Sequence, residues 1–275
     1  MNSILSDLML SRRLERAEAH ACAKFVEARA KVFPESGARW INVAGTYAMY
    51  DGVASPSTQT FGLGLFQEAT SVELDAIEDF FKGRGAPVLH EVSPLAGLPL
   101  VNMLIDRNYR PVELSSVMWR PLKGMEQSAF PPNDRIRARP IQEDERELWA
   151  QVTAKGWSEY AEFRDRILEM SRVSAQVEDS YPFLAELDGH AIAAGGMIIN
   201  SGVALLAGAC TIPQWRLQGA QLALLYSRLR YAAELGCDIA MMGAEPGGGS
   251  QRNAERHGFR IAYTRTKWKL AEHTS

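Results

Sequence analysis

Apolar residues recur at spacings of three and four from about Ser3 to Phe33. Leu10, Leu14, Ala17, Ala21 and Phe25 share one side, and the pattern predicts a helix that Pro34, Ser36 and Gly37 stop. Two strand-like runs follow, Trp40 to Tyr50 and Thr58 to Gln67. Then come a helix over Ser71–Lys82, a short strand near Val88–Val92, a helix over Leu98–Arg107 and a strand over Val112–Pro121. The stretch Lys123–Asp134 has no periodicity and holds Gly124, Pro131, Pro132 and Asn133, so it reads as a linker.

After it the order begins again. A strand over Ile136–Ile141 precedes helices over Glu143–Thr153 and Glu159–Arg172, and a hairpin turns at Asp188-Gly189. A buried strand Val203–Thr211, a helix Gly219–Leu235, a second buried strand Cys237–Ala244, a short helix Ser250–Arg256 and a strand Ile261–Leu270 complete the chain. Both halves end alike. Arg107-Asn108-Tyr109-Arg110 leads into a strand carrying Trp119, and His257-Gly258-Phe259-Arg260 leads into one carrying Trp268. In each, a residue tolerant of positive φ precedes an aromatic and a strand, which implies two copies of one α/β unit, over 1–125 and 135–275.

Composition narrows the functional classes without choosing one. A formal net charge of −3 and no Lys/Arg run give no electrostatic footprint for nucleic acid. The three cysteines, Cys22, Cys210 and Cys237, lack a CxxC spacing, so neither a disulfide framework nor a cysteine metal site is expected. No apolar run nears the roughly 20 residues of a membrane helix. The N-terminus places its basic residues in the wrong order for a secretory signal, which makes the cytoplasm the default expectation.

The chemistry concentrates where the strand Val203–Thr211 runs through a loop containing Arg216 and Gly219 into a helix. The first amides of a helix lack acceptors and sit at the positive end of its dipole, so such a junction suits an anion. Gly219 permits close backbone approach, Arg216 supplies charge, and no acidic residue intrudes before Glu234. A diphosphate fits this description. The matching junction in the first half carries Glu68, Glu73 and Asp75 with no arginine or glycine, and it reads as disarmed for that ligand. The P-loop, dinucleotide, Gly-x-Ser-x-Gly, HExxH and EF-hand patterns are absent.

The run Arg216-Leu217-Gln218-Gly219-Ala220-Gln221, set between these elements and followed by the Gly258-Phe259 ending, resembles the GNAT superfamily of N-acetyltransferases. That family's loop reads [QR]-x-x-G-x-[GA]; Arg216 and Gly219 match and Gln221 departs. The resemblance covers about Ile136 to Leu270, with the first half similar to a degenerate copy, as in tandem members. It implies a mixed α/β (α+β) fold of two tandem GNAT-like domains, each a mostly antiparallel sheet flanked by helices. It implies acetyl-CoA as co-substrate, no metal, and direct acetyl transfer to a primary amine of a small molecule or peptide. Backbone groups of Ala209, Cys210 and Thr211 would pair with the pantetheine arm. Amides of Leu217, Gln218, Gly219, Ala220 and Gln221 would cradle the pyrophosphate beside Arg216. Many members carry a tyrosine acid where this chain has Ala254. Ser250, Tyr263 or a water are then the candidates for the acid, and Glu245 is the candidate base.

Each assignment has a plainer reading. Glu245 doubles as a solvated loop carboxylate, and Cys210 reads as a small buried residue rather than a nucleophile. Asn253 either contacts the cofactor or caps its own helix. Trp157 and Tyr160 either line an acceptor pocket or pack a helix junction, and glycines 247–249 read as a flexible link. A sensor that binds acyl-CoA without turnover is the competing function. Monomer and homodimer both stay open.

Overall fold

The structure, a computed structural model, describes residues 6–123, 133–157 and 164–271. The chain divides into two compact units. One comprises the residues up to Arg120 together with those from Met241 onward; the other runs from Pro121 to Ala240.

In the first unit, α1 (Leu8–Val32) begins at Asp7, whose carboxylate accepts the Leu10 amide at 2.9 Å. Its buried side includes Leu10, Leu14, Ala17, Ala21 and Phe25, the residues the periodicity selects. The run Trp40–Tyr50 is not one strand. It folds into a hairpin of β1 (Arg39–Val43) and β2 (Thr46–Tyr50), turned by Ala44 and Gly45, both at positive φ. Nor does Thr58–Gln67 stay extended: β3 covers only Gln59–Phe61, because Gly62 and Gly64 break it with left-handed turns. Then follow α2 (Ser71–Lys82), β4 (Leu89–Val92), α3 (Leu98–Asp106) and β5 (Tyr109–Pro121).

The end of the chain joins this unit. β10 (Ile239–Ala244) crosses the boundary between the units, and α7 (Gly249–Arg256) and β11 (Arg260–Leu270) follow. β11 inserts between β4 and β5 and pairs antiparallel with both. The strand order is β1-β2-β3-β4-β11-β5, with only β3 and β4 parallel among the registered pairs. Element order assigns residues 241–275 to the second copy, whereas packing places them with the first 120, since two ladders hold β11 there.

The two similar endings noted in the sequence lie side by side in this pairing. Tyr109 faces Leu270 and Arg260 faces Trp119, so the two terminal strands match end for end. Asn108 and Gly258 both take positive φ, and Tyr109 and Phe259 are both 3% exposed. The helix Leu74, Ile77, Phe80 and Phe81 side, with Val88, Val92, Leu100, Leu104, Tyr109 and Trp268, forms the core.

The second unit orders its strands β9-β8-β7-β6, all antiparallel: β6 (Ile136–Pro140), β7 (Ser180–Leu187), β8 (His190–Asn200) and β9 (Val203–Thr211). The expected hairpin at Asp188-Gly189 is present, with both residues at positive φ. α4 (Arg146–Gly156) and α6 (Ala220–Glu234) pack on this sheet, and α5 (Arg164–Ser174) packs on α4. Trp149, Ala150 and Val152 of α4 cluster with Leu184, Ala194, Cys210 and Ile212.

Candidate functional site

β9 leads into a one-turn 3-10 segment, Pro213–Trp215, and then into α6. Gly219 sits at the N-cap with φ +97°, a conformation any side chain would strain, and contributes no side-chain cap. Leu217 also has positive φ and is wholly exposed. The first intrahelical donors are Leu222 and Ala223, both to the Gly219 carbonyl, at 3.1 and 3.0 Å. The amides of Leu217, Gln218, Gly219, Ala220 and Gln221 donate to no acceptor among the described residues. No acidic residue occupies the first turn. Five amides without acceptors, a helix dipole and the exposed Arg216 therefore lie along one short stretch. Asn133 holds the loop from outside by donating to the Gln218 carbonyl at 3.1 Å. Gln221 ties α6 back to β9 by donating to Thr211 Oγ1 at 3.0 Å.

β9 itself is irregular at the adjoining point. Cys210 faces Ala194 and Ala207 faces Gly196, so Gly208 and Ala209 together oppose Gly195 alone. Gly208 has φ +63°, the mark of a glycine bulge. Such a bulge turns strand amides out of the ladder, where a ligand's carbonyl groups can meet them.

The corresponding junction in the first unit is closed. Thr70 caps α2, accepting the Val72 amide at 3.2 Å, while Glu73 accepts the Thr70 amide at 2.9 Å and its hydroxyl. The Glu73 carboxyl is held below its ordinary range by those hydrogen bonds from Thr70. The Thr70 and Val72 amides are thus taken by the helix's own side chains.

No family model matches the sequence, and no curated protein does. Solved structures match the fold. A GCN5-related N-acetyltransferase from Kribbella flavida superposes at a TM-score of 0.63 with 16% identity, over 92% of this chain and 97% of that one. A tandem GNAT protein from the clavulanic acid biosynthesis pathway gives 0.57 at 11% identity, over 92% and 96%. A GCN5-related N-acetyltransferase from Sphaerobacter thermophilus gives 0.55 at 17%, over 78% and 72%. The fold is that of the GNAT proteins.

Within this GNAT fold, the residues expected to hold the cofactor fall in the second unit: Ala209, Cys210, Thr211 and the loop from Arg216 to Gln221. Cys210 is 4% exposed, and burial pushes its thiol up to about 11. A Cβ on Gly156 of α4 would meet its Sγ at 2.5 Å, so this thiol is a packed core group rather than an exposed nucleophile. Trp157 ends α4 and is 37% exposed. Tyr160 lies outside the described residues.

Glu245, Ser250 and Asn253 fall in the first unit, around the start of α7. Glu245 and Ser250 are exposed. Glycines 247–249, expected as a flexible link, form a hydrogen-bonded turn into α7. The Gly247 amide donates to Gln251 Oε1 at 2.9 Å, the Gly248 amide donates to the Glu245 carbonyl at 2.9 Å, and Arg252 donates to the Gly247 carbonyl. Gln251 also accepts from the Ser116 hydroxyl at 2.9 Å. Asn253 does not cap its helix: the N-cap is Gly248, with no side-chain cap bond. Tyr263 is withdrawn from the candidates for thiolate acid, because its buried hydroxyl donates to Glu15 Oε1 at 2.9 Å and burial drives its pKa well above the ordinary value. Ala254 is buried and carries no proton.

Two polar residues escaped the sequence reading, Arg228 inside α6 and Gln251, and Asn133 entered it only as part of a linker. Arg228 falls among apolar helix positions, and only that placement could have singled it out. Among the described residues no helix is long and apolar enough to cross a membrane, and no group of three or more His, Cys, Asp or Glu could hold a metal ion.

Proposed function

We propose that this protein is an acetyl-CoA-dependent N-acyltransferase that moves an acetyl group directly to a primary amine of a small-molecule or peptide acceptor. The observation that carries this reading is the uncapped head of α6, with five amides lacking acceptors and no acid in its first turn. A doubly charged diphosphate satisfies those donors as no neutral ligand would. The pantetheine arm then runs beside β9, where backbone groups of Ala209, Cys210 and Thr211 take its amides. The bulge presents an N–H to the thioester carbonyl, stabilising the charge that grows there as the amine attacks. Glu245 is assigned as the base that accepts the amine proton, directly or through water. Ser250 or a water returns a proton to the departing thiolate, since Tyr263 and Ala254 are excluded. The second unit alone carries this cofactor role, because α2 of the first is closed by its capping box. The enzyme works in the cytoplasm, as monomer or homodimer, without metal or nucleic acid.

Titration calorimetry with acetyl-CoA, wild type against Gly219→Glu, tests the reading. The substitution places a carboxylate on the anion site and forces a side chain into a left-handed conformation. The strain is common to free and bound protein, so the loss of affinity comes from the like charge, about 2 kcal/mol at an effective dielectric of ~20, a weakening of roughly thirty-fold. Equal affinity in the variant would place the cofactor elsewhere. Release of CoA thiol with a panel of amines separates the enzyme from a sensor, which would bind tightly and release none.

A further inference from the structure

Arg228 stands in the middle of α6 and is 3% exposed. Its Nε donates to the Leu224 carbonyl one turn earlier, at 3.1 Å. Its Nη1 donates to the carbonyls of Gly196 on β8, at 3.0 Å, and Ala207 on β9, at 3.4 Å. Those two residues are the cross-strand pair immediately beside the bulge, the last in register before Gly208 and Ala209 double up against Gly195. Position 195 is shaped around the guanidinium, since a Cβ there would lie 3.1 Å from Nη1 and 3.2 Å from Cζ. On its other side, the Gly195 carbonyl accepts the Trp149 indole N–H at 3.2 Å.

No carboxylate pairs with Arg228 among the described residues; its hydrogen-bond acceptors are all backbone carbonyls. Burial holds its pKa down to about 10. A cation kept out of water without a counter-ion is costly, and an apolar side chain of similar volume would serve packing better. The charge therefore has a use other than stability. At the edge of the bulge, one guanidinium donates to two carbonyls of the ladder. The Ala207 carbonyl belongs to the same peptide unit as the Gly208 N–H at the bulge. A cation donating to that carbonyl polarises the whole peptide and makes its N–H a stronger donor.

We propose that Arg228 is a positioning residue of the acyl-transfer site: by bridging Gly196 and Ala207 it fixes the β9 bulge and strengthens the amides that the bulge presents to the thioester carbonyl. This rests on the reading that acetyl-CoA lies along β9. It acts through backbone and touches no reacting atom.

The test is the infrared carbonyl band of acetyl-CoA carrying carbon-13 at the thioester carbon, bound to wild type, Arg228→Met and Arg228→Lys, with calorimetric affinity for CoA measured in parallel. The wild type shifts the band to lower frequency than free acetyl-CoA. Arg228→Met loses most of that shift and keeps its CoA affinity within about twofold, because the diphosphate grip lies at the other end of the helix's first turns. Arg228→Lys, which keeps the charge on a side chain one atom shorter and so reaches the two carbonyls less well, recovers part of the shift. Gly195→Ala, which crowds the guanidinium by a few tenths of an ångström without removing it, loses part of the shift and serves if Arg228→Met does not fold. An unchanged band in Arg228→Met or Gly195→Ala, with CoA bound, overturns the proposal alone. Failure of the wild type to bind CoA overturns the functional reading and takes this proposal with it.

Discussion

Glu15 and His90 are both buried in the first unit and should impose opposite pH dependences on its stability. Glu15 accepts from Tyr263 at 2.9 Å and Arg265 at 3.3 Å, with Glu18 and Glu91 nearby, and its Oε2 has no hydrogen-bond partner. Burial is the largest influence and raises its pKa from 4.5 to about 7. His90 lies between the Thr60 hydroxyl at 2.9 Å and the Tyr109 hydroxyl at 3.1 Å, and Tyr109 in turn donates to Glu78. Burial lowers His90 from 6.5 to about 4, against the pull of Glu78. Between pH 4.5 and 7 the folded protein holds the Glu15 proton that the unfolded chain releases, so this group makes stability fall as pH rises. Between pH 4 and 6.5 the unfolded chain holds the His90 proton that the fold excludes, so this group makes stability rise. At about 1.4 kcal/mol per ten-fold, each contribution is of order 3 kcal/mol, and in the wild type they largely offset. Urea unfolding at pH 5, 6 and 7 reads the balance. Glu15→Gln should uncover the His90 slope, with stability climbing by about 2 kcal/mol from pH 5 to 7, most of it below pH 6.5. His90→Gln should uncover the reverse. A Glu15→Gln protein with the wild-type pH profile would refute the reasoning.

Two further substitutions probe the frame around the site. Gly156→Ala drives a methyl into Cys210 Sγ at 2.5 Å and should cost about 1–3 kcal/mol in urea unfolding, with part of the loss returned by Cys210→Ala. Thr70→Ala removes the α2 cap and should cost ~1 kcal/mol while leaving CoA affinity unchanged, since the first unit holds no cofactor on this account.

Much of this molecule was legible in its residue pattern because the governing physics is local. The α1 stripe, the Asp188-Gly189 hairpin and the strand–loop–helix around Gly219 each follow from periodicity or turn chemistry within a few residues. The contrast between the two helix heads was also legible, since the acids at 68, 73 and 75 and their absence after 216 are plain in the sequence. Where local rules gave the wrong element, a specific residue explains it. Ala44 adopts positive φ without the Asn or Asp that usually announces such a turn, so β1 and β2 read as one strand. The insertion of β11 between β4 and β5 is decided by pairing across more than 140 residues, which no window contains. Tyr263 was a reasonable proton donor by type and position, and only its commitment to Glu15 removes it. Arg228 was hidden for the opposite reason: a charge in a helix is ordinarily solvated, and its burial at the bulge is a tertiary fact.

The most direct measurement is a crystal structure of the protein with CoA bound. The account predicts the diphosphate within hydrogen-bond distance of the amides from Leu217 to Gln221, with the pantetheine arm beside Ala209–Thr211. A diphosphate seated at the head of α2, or any bound CoA that leaves those five amides bare, would contradict it.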